Sequence, residues 1–90
     1  MNRPALPLGP ELTIGFAAAW RETLADAVNA GGQVTLDLGE VTDFDSAGVQ
    51  LLLATQRSLA ERGQRMNVAA ASPVVRDGLQ VFGLQSLLDD

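Results

Sequence analysis

Asp43, Asp45 and Ser46, with Glu40 just upstream, are the side chains whose types and spacing could do chemistry in this chain. A hydroxyl beside carboxylates can accept a phosphoryl group, cap a helix or, with a strong base nearby, attack a carbonyl. Ser46 stands immediately ahead of Ala47-Gly48 and the apolar run Val49-Gln50-Leu51-Leu52-Leu53. The first N–H groups of a helix lack internal partners and carry partial positive charge, so this position is expected to favour a phosphate. A plain capping role for Ser46 is the simpler alternative, and the two roles are compatible. Nucleophilic catalysis is disfavoured because the chain has no histidine, lysine or cysteine, leaving only carboxylates as a base and no evident oxyanion hole. Asp43 and Asp45 are spaced like a metal pair, but two carboxylates in a turn more often serve the turn itself, and neither metal nor cofactor is expected. Asp45 could instead hold or polarise the serine hydroxyl. Gly48 could cradle a phosphate; close approach of the helix to a neighbour is the preferred reading.

The elements that must position these residues alternate. Leu6 to Leu8 suggests a short edge strand, broken by Gly9-Pro10. From Thr13 to Asn29, the recurrence of Phe16, Trp20, Leu24, Ala27 and Val28 predicts one apolar helical face that buries both aromatic residues, stopped by Gly31-Gly32. Residues 34–38 alternate as a strand, with Val34, Leu36 and Leu38 on one face. A second helix is predicted over Ala47 to Glu61, burying Val49, Leu52, Leu53, Leu59 and Ala60, with Gly63 beyond it. Leu51 and Ala54 lie off that stripe and either widen the buried face or form a contact surface beside Ser46. Met66, Val68 and Ala70 alternate with Asn67 and Ala69 as a further strand. Ser72-Pro73 then opens a third helix with a serine cap and proline at its first position; Val75, Leu79 and Phe82 form its stripe and Gly83 closes it. Ser86 to Asp90 could add a last short turn. Alternating strands and helices imply right-handed crossovers, and strands that alternate rather than run solidly apolar imply helices on one sheet face only. The fold expected is α/β, a layered sandwich with a small, mostly parallel sheet and three to four helices. Chemistry in such sheets collects at the carboxyl ends of strands, where the 39–48 loop lies.

Bulk composition sets further limits. Ninety residues, 47% hydrophobic and 19% charged, fit one folded domain, residues 1–90, in which 1–10 form a short N-terminal strand region. Net charge is −5 and the six basic residues are all dispersed arginines, so a nucleic-acid partner is not expected. No apolar run approaches the roughly 20 residues that span a bilayer, so membrane insertion is not expected either. The N-terminus lacks the apolar stretch of a secretory signal, and a cytoplasmic location is the default.

Three stretches together resemble a known family. Leu36-Asp37-Leu38, then Val41-Thr42-Asp43-Phe44-Asp45-Ser46-Ala47-Gly48-Val49, then Ser72-Pro73-Val74-Val75-Arg76 with Phe82-Gly83-Leu84, resemble the STAS domain of sulfate transporters and anti-sigma factor antagonists. The resemblance implies that family's small sheet packed with several helices. In the antagonists the serine after the aspartate is the phosphorylation site, and Ser46 matches it. The sequence departs from the family in its short, proline-interrupted N-terminus (Pro4, Pro7, Pro10) and in Ala47, where many relatives carry a second hydroxyl.

What the resemblance implies is a non-enzymatic signalling module that binds a protein partner, an anti-sigma factor or serine kinase. Phosphorylation of Ser46 would switch that contact by adding about −1.5 to −2 charges beside Glu40, Asp43 and Asp45. The partner surface expected is Asp43, Asp45, Ser46, Ala47, Gly48, Val49 and Gln50. The alternatives are an adaptor of a chemotaxis system or a regulatory subunit of a lipid-transporting ABC ATPase, the latter usually with threonine in the place of Ser46. Homodimerisation through the shortened N-terminus stays open.

Overall fold

The computed structural model describes residues 4–88. Its sheet has three parallel strands: β1 (Leu6–Pro7), β3 (Val34–Leu38) and β5 (Met66–Ala71), in the order β1-β3-β5. Between β1 and β3 the chain runs through β2 (Glu11–Leu12), a 3-10 turn (Ile14–Phe16) and helix α1 (Ala17–Asn29). Between β3 and β5 it runs through β4 (Asp43–Phe44) and helix α2 (Ser46–Ala60). Helix α3 (Pro73–Val81) and a second 3-10 turn (Gln85–Leu88) follow β5. The order steps one way across the sheet, so two crossovers of the same hand carry α1 and α2 to the same face and set them side by side.

The apolar alternation of β3 explains which face that is. Val34, Leu36 and Leu38 are fully buried under the helices, while Thr35 and Asp37 on the other face are only partly covered. Leu24 and Val28 from α1, Leu52 and Leu59 from α2, and Val75 and Leu79 from α3 close the same core. Ser72 Oγ accepts from the Val75 N–H at 3.3 Å with Pro73 at the first helical position, as the sequence predicts. At the far end of α3, Gly83 takes a positive φ of 69°, which lets the Leu84 N–H return to the Leu79 carbonyl at 2.8 Å.

Several expectations are corrected by tertiary packing. Phe16 lies in the 3-10 turn ahead of α1 and is exposed; only Trp20 of the two aromatic residues turns inward, its indole N–H donating to the Glu11 carbonyl at 2.8 Å. Phe82 falls at the end of α3, where the chain is already turning, and is exposed, while Leu84 packs against the core instead. Along α2, Leu51 is buried and Ala60 exposed, because the helix is covered by α1 as well as by the sheet and its buried arc is rotated toward that second neighbour. Ala70 also faces solvent. A register shift opposite Leu36 and Asp37 inserts one residue into β5, so that Ala71, not Ala70, stands opposite Leu38.

A second, two-residue parallel ladder joins β2 to β4, pairing Glu11 with Asp43 and Leu12 with Phe44. It carries the Phe44 ring into a slot between two helices. A Cβ on Gly48 of α2 would press on the Leu12 carbonyl oxygen and lie 2.8 Å from two ring carbons of Phe44. A Cβ on Gly78 of α3 would meet the opposite edge of the same ring at 2.7 Å. The two missing side chains are the space the aromatic ring fills. Gly48→Ala is therefore expected to lower the stability of the domain by about 1–3 kcal/mol through overpacking. Gly15→Ala, in the 3-10 turn where an added methyl meets nothing, serves as the neutral control. Urea unfolding of both variants checks this: equal midpoints for the two would contradict it.

Candidate functional site

The loop from Gly39 to Asp45 leaves the carboxyl end of β3 and enters α2, and its placement depends on the N-terminal segment. The Pro10 carbonyl accepts from the N–H groups of Thr42 (2.8 Å) and Asp43 (3.2 Å), and the β2–β4 ladder continues the attachment. Asp45 then stands at the N-cap of α2 in extended conformation. One carboxylate oxygen, Oδ1, accepts from the N–H groups of Ala47 (2.9 Å) and Gly48 (3.2 Å). The other, Oδ2, accepts from the N–H of Ile14 at 3.0 Å, from across the fold. The Ile14 N–H is the strongest influence holding this carboxyl below its ordinary value; partial burial opposes it, and the Gly48 and Ala47 N–H groups reinforce it.

This arrangement corrects three expectations. The cap of α2 is Asp45 and not Ser46. Two of the N–H groups expected to receive a phosphate, those of Ala47 and Gly48, are already held by the Asp45 carboxylate, so a Ser46 phosphate would have a carboxylate as its neighbour. Asp45 does not hold the serine hydroxyl, since both of its oxygens are engaged with backbone donors. Ser46 is the first residue of α2, exposed, and its hydroxyl makes no hydrogen bond among the described residues.

The seven residues expected to meet a partner divide by burial. Asp43, Ser46 and Gln50 are exposed, and Asp45 and Ala47 are partly exposed; Asp45, Ser46, Ala47 and Gln50 share one surface at the start of α2, with Asp43 on β4 just before it. Gly48 and Val49 point inward, Gly48 against Phe44 and Val49 into the core, so the exposed surface is narrower than the one drawn from sequence. The helical period itself requires this, because a surface helix cannot expose five successive positions. Thr42 is exposed beside the loop, with its hydroxyl 3.4 Å from the Pro10 carbonyl.

What sequence reasoning missed lies on the other side of Ser46. An open trough of about 910 Å³ runs between α1 and α2, with Ser46 and Ile14 at one end and Arg62 at the other. Leu24, Val28 and Leu51 form its floor, and Arg21 stands on the α1 wall. Arg62 is held in place by donating to the Val28 carbonyl (3.1 Å) and to Asn29 Oδ1 (2.9 Å). The one signal available in sequence was Leu51 and Ala54 lying off the main α2 stripe.

A small parallel sheet, helices α1 and α2 on one face and an exposed serine at the start of α2 define an α/β module. The chain belongs to the STAS family: the family described as Mlab, STAS domain matches residues 1–89. No curated protein matches the chain. STAS domains are generally non-catalytic as a family. Among the described residues no helix is long and apolar enough to cross a membrane.

The carboxylate clamp has a pH signature. Because the folded-state value of Asp45 is lowered, its contribution to stability is present above the ordinary carboxyl value of 3.8 and is lost as pH falls through the lower folded value. Asp45→Ala is expected to unfold at lower denaturant than the wild type near neutral pH, with the gap narrowing below pH 3.8. A gap that stays constant between neutral and strongly acidic pH would contradict the clamp.

Proposed function

We propose that this STAS domain is a protein-binding signalling module, of the anti-sigma factor antagonist type, whose contact surface at the start of α2 is switched by phosphorylation of Ser46. The observation that carries the reading is the division of labour between neighbours: Asp45 satisfies the helix end, which leaves the Ser46 hydroxyl exposed and unbonded. A serine needed as a cap would have its hydroxyl turned inward and withheld from a kinase. A phosphate on Ser46 would bring about −1.5 to −2 charges against the Asp45 carboxylate and near exposed Asp43. The Ala47 and Gly48 N–H groups that could otherwise help neutralise it are taken, so more of the added charge is felt by the partner. The core beneath is untouched and the fold persists. Protein recognition, not catalysis, fits a chain without histidine, lysine or cysteine.

A second reading is favoured by the trough beside Ser46. In it the same loop and helix seat the domain on another machine, a chemotaxis complex or the ATPase of a lipid-transporting ABC system, and no phosphate is involved. An apolar surface that extends along α2 suits a lasting contact as well as a switched one.

Incubation with a switch kinase and ATP, followed by mass-spectrometric mapping, is expected to place phosphate on Ser46. In pull-downs with the cognate partner, Ser46→Glu is expected to lose binding that Ser46→Ala retains. Equal retention by both variants, or phosphate only at other residues, would favour the adaptor reading.

A further inference from the structure

We propose that the α1–α2 trough is a docking groove for one amphipathic helix of a partner protein, with acidic residues flanking its apolar stripe. The inference deepens the proposed function, on which it rests for its regulation by Ser46 but not for its geometry. Along α1 the lining recurs at Ala17, Arg21, Leu24 and Val28, and on α2 it runs from Ala47 to Ser58, so both walls extend nearly the full helix length. At 1.5 Å per residue that is about 20 Å, the length of a helix of about 13 residues. Ala25 and Ala54 are exposed on opposite walls, and such small side chains allow a third helix to approach closely, while the Leu24, Val28 and Leu51 floor supplies apolar contact. Ile14, 75% exposed at the Ser46 end, extends that apolar surface.

Charge selects the occupant. The charged side chains lining the trough are Arg21, Arg62 and Asp45, and the Asp45 carboxylate is committed to three backbone N–H groups. Arg21 is exposed and makes no hydrogen bond or ion pair among the described residues, and Arg62 is fixed by α1 at the far end. The two arginines outnumber the one carboxylate, which keeps its charge at the Ser46 mouth, so from Arg21 to Arg62 the trough is cationic on a chain of net charge −5 and complementary to acidic flanks there. An acyl chain would leave one side in water along the open length. Ser46 at the mouth gives the groove its gate, because a phosphate there repels an acidic helix.

The test uses two stapled helical peptides of about 14 residues with one Leu/Ala stripe, flanked by glutamate in one and lysine in the other. They are titrated into the full-length, ¹⁵N-labelled chain. The glutamate peptide is expected to shift amides along α1 and α2, and the lysine peptide to bind about tenfold more weakly. Ala54→Trp, at an exposed site in the trough, is expected to abolish binding with an unchanged circular dichroism spectrum. Ser46→Glu is expected to weaken it about tenfold. No binding, equal binding of both peptides, or shifts away from α1 and α2 overturns the groove and leaves the kinase test of Ser46 standing. Loss in Ala54→Trp with no change in Ser46→Glu supports the groove and removes Ser46 as its gate. A concentration-dependent dimer in sedimentation that Ala54→Trp breaks assigns the trough to a second copy and overturns the partner helix.

Discussion

One carboxylate holds the N-terminal third of this domain to helix α2. Asp45 accepts two N–H groups from the first turn of α2 and a third from Ile14, thirty-one positions earlier in the chain. Those first-turn donors would otherwise be orphaned, and the Ile14 N–H would otherwise face solvent. Because one side chain answers both needs, the start of α2 and the entry to α1 cannot move independently. The β2–β4 ladder and the Pro10 carbonyl reinforce the same junction from the backbone side.

Two properties of the surface follow from that clamp. Ser46, relieved of capping, is presented outward on the first turn of a helix whose position is fixed. The distance between α1 and α2 at this end is fixed as well, and Arg62 bonding to Val28 and Asn29 fixes it at the other. A trough pinned at both ends stays open between them. The Phe44 ring, slotted between Gly48 and Gly78, locks α2 and α3 to the same short strand that delivers Asp45. Fold and site therefore share residues here: the loop that leads into Ser46 also carries Phe44 and Asp45, which tie the helices together.

The longer elements were legible in sequence because each carries a period. Alternation in 34–38, helical spacing of Leu24 and Val28, and the Ser72-Pro73 start each encode a local geometry that tertiary packing accepted. The two-residue strands β2 and β4 have no period to read, and they form only when residues 11–12 meet residues 43–44, some thirty positions on. Phe16 and Phe82 had helical spacing relative to their neighbours, but each sits at a helix end where the backbone departs from that spacing. Ala70 was displaced by a single inserted residue in β5, which reverses every later side chain in a strand.

By itself the sequence determined the order of the longer elements, the one-sided burial of the central strand and the presence of a serine among carboxylates at a helix start. These are local matters of periodicity, capping chemistry and charge, fixed within a dozen residues. Which of two adjacent residues caps the helix was decided by the tertiary structure, because only Asp45 reaches Ile14 as well as its own helix. The trough was decided there too. It belongs to neither α1 nor α2 but to the gap between them, and that gap exists because two same-handed crossovers on a sheet ordered β1-β3-β5 put both helices on one face.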